Sequence, residues 1–262
     1  MSAESATSFD TVTELPGNLA HRDQVDAMRT RYEWAAGFCS GNEVVEIACG
    51  AGIGLGVLAR NAKFVTGGDV DPVVLKFGKE HYVNRNIRVM ELDACKMDLP
   101  ENSVDVASCF EATYYFPSVA HFLEEVTRIL RSSGVFLCSS VNCQWHGFNP
   151  SPHSRRYHSV SEMRLELENA GFMADFFVAF EDNPASYKRR LIALIRRMAV
   201  QLGLVPKTMK RKEFFKKLFY GKLTPLPAEM TSAHGIMHRL IRLDDSVDLA
   251  NYKFYYFAAR PK

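Results

Sequence analysis

Four glycines alternate along residues 50 to 56, directly behind an apolar run that contains one acid, Glu46. Glycine tolerates positive φ and leaves the backbone bare, so a ligand can approach the main chain closely. An acid within an apolar run is costly to bury unless it finds a partner. The pattern predicts a buried strand that ends in a tight ligand-binding loop. Glu46 would then accept a hydrogen bond from an amino group of the ligand or order the loop itself.

Two classes of nucleotide-like ligand use such a loop. A dinucleotide fold requires Gly-x-Gly-x-x-Gly, in which the third glycine lets the helix pack closely on the strand. Counting from Gly50 places Leu55 in the third position, and counting from Gly52 places Val57 there. The glycine spacing therefore argues against NAD as the ligand. An NAD(P)-dependent oxidoreductase nevertheless stays open as an alternative, and so does a nucleotide-binding protein without catalytic activity.

Three further acids follow apolar runs of strand length: Asp69, Asp93 and Glu111. A carboxylate at a strand end can accept hydrogen bonds from both hydroxyls of a ribose, which makes Asp69 the candidate for a ribose contact. This feature is shared by dinucleotide-binding and other nucleoside-binding folds, so Asp69 alone does not decide between them.

The pattern Glu46-x-x-Cys49-Gly50-x-Gly52 resembles motif I of the class I S-adenosylmethionine-dependent methyltransferases. Asp69, Asp93-Ala94, Phe110-Glu111 and the glycine turn at Gly134 follow in the family's order. From about Arg31 to Phe172 the chain looks like the "methyltransferase type 11" kind that modifies small molecules, sugars and polysaccharides. The resemblance implies S-adenosyl-L-methionine as cofactor. It implies these cofactor contacts: Tyr32, Glu46, Cys49, Gly50, Gly52, Asp69, Val70, Asp93, Ala94 and Phe110.

The resemblance also assigns the acceptor side to the end of the fourth strand. Methyl transfer from a sulfonium needs positioning and the removal of a proton from the nucleophile. Glu111 is the first candidate for this base, with pairing to Arg31 as its alternative role, and His153 and His146 are reserve bases. Substrate contacts are expected from Tyr114, Tyr115 and Asn142. The histidine spacing is not that of a helical metal pair, so no metal is expected.

The sequence narrows only the chemical class of the methyl acceptor. Enzymes that methylate nucleic-acid amines carry Asn/Asp-Pro-Pro-aromatic after the fourth strand, whereas this chain has Phe-Glu-Ala-Thr-Tyr-Tyr. No DNA partner is therefore expected. The favoured reaction is transfer of a methyl group to a hydroxyl of a small molecule or sugar, which could be lipid- or nucleotide-linked. An amine acceptor is less favoured, and an RNA or lipid acceptor is the alternative within the methyltransferases.

Strands and helices alternate along the first 180 residues, which predicts an α/β fold with a parallel sheet covered on both faces. The resemblance makes this a Rossmann-like, seven-stranded sheet whose last strand is antiparallel. The predicted organisation is a polar arm over 1–22, a cofactor-binding core over 23–180, a basic and partly helical insert or lid over 181–250, and the last strand within 251–262. The helix behind the glycine loop is expected over 53–60.

The insert is the most individual part of the chain. Residues Lys188 to Lys222 contain twelve lysines or arginines and one acid, although the whole chain has a net charge of only +2. An ordinary lid, a surface that docks on anionic lipid, and a surface that attracts an acidic acceptor all fit this charge. No signal peptide or membrane span is visible. A cytoplasmic protein is expected, which could be peripheral at the inner membrane face, in an oligomeric state that the sequence leaves open.

Overall fold

A mixed sheet organises the protein, and the computed structural model describes residues 13–83, 85–151, 153–182 and 223–262. The strands are β1 (Leu19–His21), β2 (Glu43–Ile47), β3 (Phe64–Asp69), β4 (Ile87–Glu91), β5 (Val104–Phe110), β6 (Leu130–Val141), β7 (Phe172–Glu181), β8 (Leu223–Pro225), β9 (Ile241–Arg242) and β10 (Tyr252–Pro261). The main sheet has the order β4-β3-β2-β5-β6-β10-β7-β9, and β1 pairs with β8 in a separate two-stranded sheet.

The pairing confirms a mostly parallel sheet with an antiparallel last strand. β2 lies parallel to both β3 and β5, and the parallel arrangement continues to β4 on one side and β6 on the other. β10 inserts antiparallel between β6 and β7. The chain therefore changes direction across the sheet at β2, which opens a crevice beyond the carboxyl ends of β2 and β5, where such sheets bind ligands.

The described part of the chain has five α-helices between these strands: α1 (Arg22–Ala36), α2 (Leu55–Leu58), α3 (Pro72–His81), α4 (Val119–Ile129) and α5 (Val160–Asn169). Local sequence sets their starts. Asp71 caps α3 by accepting from the Val73 N–H at 2.9 Å, with Pro72 at the first helical position, where a missing N–H costs nothing. Ser159 and Glu162 form a reciprocal capping box on α5, which satisfies two otherwise free N–H groups.

Two core layers cover the two faces of the sheet, as predicted. Along β2, Val45 and Ile47 belong to the layer under α4 and α5, whereas Val44 belongs to the layer under α1, α2 and α3. Side chains alternate between faces along a strand, so Glu46 is directed at the same side as Val44. The strand pleat thus places the acid of the glycine motif under α1.

The structure differs from the expected arrangement of strands and helices at three places. β9 adds an eighth strand by pairing with β7. β1, in the predicted arm, pairs with β8, which lies within the predicted insert. The helix expected over 53–60 contains only Leu55–Leu58, because alternating glycines precede it and glycine in a helix costs backbone entropy. The basic stretch from Lys188 to Lys222 lies outside the described residues. Within the described ranges, no helix is long and apolar enough to cross a membrane.

Candidate cofactor and acceptor site

The glycine loop begins where β2 ends. Gly50 and Gly52 have φ of +56° and +77°, and Ala48 also has a positive φ of 59°. Only glycine adopts such angles without steric cost, so the two glycines are required by the turn itself. Cys49 is buried beneath the loop, and its N–H donates to the Gly68 carbonyl at 2.9 Å. The loop is thereby fastened to β3.

Three N–H groups in and behind the loop have partners within the chain. The Gly52 N–H donates to the Cys49 carbonyl, and the Leu55 N–H donates to the Gly52 carbonyl, each at 3.0 Å. The Gly56 N–H donates to the Tyr82 hydroxyl at 3.2 Å. The chain therefore uses these three donors itself, and α2 is only one turn long.

Asp69 lies at the end of β3 and joins the loop to the next turn. Its Oδ2 accepts from the Gly50 N–H at 2.9 Å and its Oδ1 from the Asp71 N–H at 3.0 Å. Burial raises the pKa of Asp69, although these backbone hydrogen bonds oppose the shift. Each carboxylate oxygen can accept more than one hydrogen bond, so the group can both hold the loop and accept from a ribose.

Glu46 and Tyr32 form a buried pair under the loop. The Tyr32 hydroxyl donates to Glu46 Oε1 at 2.8 Å. Within the described residues, Glu46 Oε2 is buried without a hydrogen-bond partner. Burial raises the pKa of Glu46 to about 8, against the opposing effects of the Tyr32 hydrogen bond and the Arg31 charge. An unsatisfied buried carboxyl oxygen is costly, and a positively charged group would satisfy it.

Gly54 explains how the tyrosine comes so close. A Cβ at position 54 would lie 1.9 Å from Tyr32 Cζ, a distance that real atoms do not allow. Tyr32 also packs edge-to-face on Phe110, with the ring centroids 5.5 Å apart. The third glycine of the series therefore serves the packing of α1 on the loop, and Tyr32 links Glu46 to the end of β5.

Arg31 is a site residue that sequence reasoning considered only as a partner of Glu111. It is buried, it lies over the Tyr32 ring, and it pairs with Glu14. Its Nε has no hydrogen-bond partner among the described residues. Burial disfavours its charge, but Glu14, Tyr32 and Glu111 outweigh that effect and raise the pKa of the guanidinium. The signal that could have found Arg31 is its position one residue before the predicted contact Tyr32.

The remaining predicted cofactor contacts line the neighbouring strand ends. Val70, directly after β3, is 59% exposed although it is apolar, as expected for a residue that a flat ligand covers. Asp93 is exposed after β4, and its Oδ1 accepts from the Cys95 N–H at 2.8 Å. Ala94 and Phe110 are buried. These residues lie at the carboxyl ends of β3, β4 and β5, which share one edge of the parallel sheet.

Glu111 follows β5 and is held in a strained conformation. Its φ is 55°, which is uncommon for a residue other than glycine and is found at functional positions. Its N–H donates to the Ser139 carbonyl at 2.9 Å, and the Ser139 hydroxyl donates to Glu111 Oε1 at 3.1 Å. Burial raises the pKa of Glu111 to about 7, although Arg31 and Ser139 oppose this. Glu111 can therefore accept a proton near neutral pH.

An aromatic wall stands beside Glu111. Tyr114 stacks on Tyr157 with ring centroids 4.3 Å apart, and it also contacts Tyr115. The Tyr115 hydroxyl and the Ser151 hydroxyl lie 2.6 Å apart. The Arg155 N–H donates to the Tyr114 carbonyl at 2.7 Å, which ties the loop after β6 to the loop after β5. Tyr157 was missed in the sequence because 43 residues separate it from Tyr114.

Asn142 does not join this wall. It is completely buried, and its Nδ2 donates to the carbonyls of Leu249 and Tyr252 at 2.7 and 2.9 Å. Its Oδ1 accepts from the Gln144 N–H at 3.0 Å. The prediction that Asn142 binds substrate is therefore wrong, because the amide is used to hold the approach to β10.

The two histidines occupy different surroundings. His146 Nδ1 lies 2.8 Å from the Ala250 carbonyl, and its Nε2 lies 3.6 Å from Asp182. These contacts place it with the segment before β10. His153 is exposed in a left-handed turn with φ of 67°. Their role as reserve bases stays a prediction. In the part of the chain that the structure describes, no group of three or more His, Cys, Asp or Glu is arranged to hold a metal ion.

The sequence of this region matches a known family. Residues 45–138, which contain the glycine loop, Asp69, Asp93 and Glu111, match the family model described as "Methyltransferase domain". Residues 45–138 therefore belong to a methyltransferase domain similar to those of S-adenosylmethionine-dependent enzymes. This confirms the resemblance and supports S-adenosyl-L-methionine over NAD as the cofactor.

Curated proteins similar to this chain match only part of it. A protein of Mycolicibacterium smegmatis named "Probable S-adenosylmethionine-dependent methyltransferase" is 33% identical over 147 residues, which are 54% of this chain and 56% of that protein. A "Phthiotriol/phenolphthiotriol dimycocerosates methyltransferase" of Mycobacterium leprae is 31% identical over 97 residues, or 36% of each chain. The matches thus span about half the length of these relatives or less.

Solved structures confirm the fold of the methyltransferase domain. An S-adenosylmethionine-dependent methyltransferase of Archaeoglobus fulgidus superposes with a TM-score of 0.57 at 15% identity, covering 91% of this chain and 93% of that one. The [4+2]-cyclase SpnF superposes equally well, with a TM-score of 0.57 at 16% identity, covering 96% and 90%. At these identities the likeness shows the fold alone.

The side chains at the loop fit the methionine end of S-adenosyl-L-methionine. That end carries an amino group and a carboxylate. At the loop, Glu46 Oε2 and Arg31 Nε are both buried and have no hydrogen-bond partner among the described residues. A carboxyl group and a guanidinium close to a bare loop suit the amino group and the carboxylate of a zwitterion, whereas a pyrophosphate would place negative charge against Glu46.

Proposed function

We propose that the protein transfers a methyl group from S-adenosyl-L-methionine to a hydroxyl of a small molecule or sugar, which could be lipid- or nucleotide-linked. The observation that carries this proposal is Glu111, a strained acid with a pKa raised to about 7 at the end of β5. The cofactor supplies an electrophilic methyl group. The chain has to supply positioning and a base for the departing proton.

Glu111 fits the role of that base. A general base works best when its pKa lies near the operating pH, and burial moves this carboxyl from its ordinary value of 4.5 to about 7. Ser139 donates to Oε1, which fixes the orientation of the carboxyl and leaves Oε2 to receive the proton of the acceptor. The positive charge of Arg31 opposes the rise in the pKa of Glu111 and so favours its ionised form.

The aromatic wall supports an acceptor with an apolar or ring-shaped face. Tyr114, Tyr115 and Tyr157 present stacked rings next to the base, and aromatic faces pack well on sugar rings and hydrocarbon. Several relatives carry names of enzymes for phthiotriol and phenolphthiotriol dimycocerosates. A lipid-linked hydroxyl is therefore included in the acceptor class that we propose.

Two measurements test this function. Calorimetry with S-adenosylhomocysteine and with NAD should show binding of the first and not of the second. Transfer of labelled methyl groups should then be measured over a panel of hydroxylated sugars, lipids and amines. Binding of NAD alone would contradict the proposal, and so would binding of S-adenosylhomocysteine with no transfer to any acceptor of the panel.

Glu111→Gln tests the base directly. We expect kcat to fall by about 10²- to 10⁴-fold, with the affinity for S-adenosylhomocysteine unchanged. In the wild-type protein kcat should rise with pH through about 7, because Glu111 must lose its proton to act. Glu80→Gln on the exposed side of α3 is the surface control. Unchanged turnover in Glu111→Gln would remove Glu111 from the chemistry.

The basic stretch Lys188 to Lys222 also bears on where in the cell the protein acts. We propose that its charge attracts an anionic membrane surface and holds a cytoplasmic protein peripherally at the inner membrane face. Support comes from its twelve basic residues and single acid. Co-sedimentation with vesicles should be strong with anionic lipid at low salt and weak at high salt or with neutral lipid. Absence of binding to anionic vesicles at low salt would contradict it.

A further inference from the structure

Two segments outside the matched domain lie against the glycine loop. The first is residues 13–18, which we call the strap. Thr13 Cγ2 lies 2.9 Å from the point that a Cβ on Gly50 would occupy, so the strap touches the loop at its first glycine. β1 follows the strap and pairs with β8. The strap is therefore placed over the same end of the site as Tyr32 and Glu46.

The second segment, residues 226–230, anchors the strap and the loop together. The Gly17 N–H donates to the Leu226 carbonyl at 2.8 Å, and the Met230 N–H donates to the Ile53 carbonyl at 2.7 Å. Leu226 and Met230 are both buried. Glu229 pairs with Arg85 and His81. The backbone of the strap is thus anchored at Gly17, three residues after Glu14.

Glu14 is the strap residue with an exchangeable contact. Its Oε2 accepts from the Arg31 guanidinium, and its Oε1 accepts from Gln24 Nε2 at 3.2 Å. The Glu14 side chain keeps 23% of its surface exposed, whereas that of Arg31 keeps 8%. The carboxylate can thus swing into solvent while the guanidinium stays buried beside Tyr32 and Glu111.

We infer that Glu14 is a displaceable counter-ion for Arg31, whose place the carboxylate of the bound cofactor takes. This inference rests on the proposed function, since it requires a ligand with an amino-acid end at the glycine loop. A guanidinium binds any carboxylate of suitable geometry, and Arg31 is buried next to the loop. An arginine left without a counter-ion there would be costly, so Glu14 holds the site until the ligand arrives. Each binding event then breaks the pair of Glu14 with Arg31, and the ligand carboxylate accepts both from the Nη2 that Glu14 leaves and from the unpartnered Nε.

Glu14→Gln tests the exchange with two ligands that differ in one part. S-adenosylhomocysteine carries the amino-acid end, and 5′-methylthioadenosine lacks it. Calorimetry on the full chain should show S-adenosylhomocysteine binding about five- to tenfold tighter to the variant than to the wild type, because a competing charge-assisted hydrogen bond is weakened. The affinity for 5′-methylthioadenosine should not change. Glu14→Asp, whose shorter side chain reaches Arg31 less well, should give an intermediate gain.

Glu33→Gln is the matched control, because Glu33 lies on α1 and pairs with Arg29 and Arg60 instead. It should change neither affinity, and thermal unfolding should verify that each variant is folded. Weaker or unchanged binding of S-adenosylhomocysteine to Glu14→Gln would overturn the inference, as would an equal shift for both ligands or for the control. If the wild type bound neither ligand, the proposed function would fail and the inference with it. Binding of both ligands with equal affinity would refute the inference alone.

Discussion

Glu46→Gln should make the stability of the protein less dependent on pH. Glu46 is buried with one oxygen bonded to Tyr32, and glutamine has nearly the same shape as the protonated acid. The variant therefore keeps the hydrogen bond to the tyrosine and removes only the ability to ionise. Any cost of burying the second amide atom is the same at every pH, so it cancels when two pH values are compared.

The direction of this pH dependence follows from the number of protons that the folded and unfolded states bind. Burial raises the pKa of Glu46 from 4.5 to about 8, so the folded state holds more protons than the unfolded state between these values. Stability contributed by this group is then present at low pH and is lost as the pH rises from about 4.5 to 8. Between pH 5 and pH 8 the loss is about 3 kcal/mol. In a domain of this size this corresponds to about 6 to 12 °C in Tm.

The assay is urea unfolding at pH 5, 6.5 and 8, followed by tryptophan fluorescence. The free energy of unfolding of the variant minus that of the wild type should grow by about 3 kcal/mol over this range. Glu111 titrates in both proteins, so its contribution cancels in the difference. Cofactor should be left out, because a bound amino group would change the ionisation of Glu46.

Asp105→Asn is the control with the opposite sign. Arg131 and the Glu43 N–H outweigh burial and lower the pKa of Asp105. A lowered pKa gives stability that is lost only as the pH falls below about 4, so this variant should show a constant difference between pH 5 and 8. A Glu46→Gln difference that stayed constant, or that shrank as the pH rose, would mean that Glu46 is ionised in the folded state and would refute the reasoning.

Two other substitutions test the packing around the site. Gly54→Ala should lower the free energy of unfolding, measured by urea titration, by about 2 to 3 kcal/mol, because the new Cβ collides with the Tyr32 ring. The control Gly37→Ala should lower it by less. Equal losses in the two variants would contradict the close approach of Tyr32 to Gly54. Asn142→Ala should lower the unfolding free energy by about 3 kcal/mol without weakening cofactor binding, because buried carbonyls lose their donor. The exposed Asn149→Ala is its control, and loss of acceptor binding with full stability would restore the substrate role.

Much of the fold could be predicted because its signals are local. The apolar run from Val44 to Ala48 and the glycines behind it describe a strand and its turn, and the angles of Gly50 and Gly52 agree. Strand order could be taken only from the family resemblance. The length of α2 and the added strand β9 were missed, since a one-turn helix and a two-residue strand leave no periodic pattern to recognise.

The candidate site divides in the same way. By itself the sequence determined which acids end the strands, because Glu46, Asp69 and Glu111 take their positions from the alternation of short apolar runs and turns. Only the tertiary structure decided what these acids touch. Glu14 meets Arg31 and Tyr157 meets Tyr114 across stretches of chain that no periodicity connects. The raised pKa values of Glu46 and Glu111 likewise depend on burial by distant segments, and burial is a property of the packed molecule.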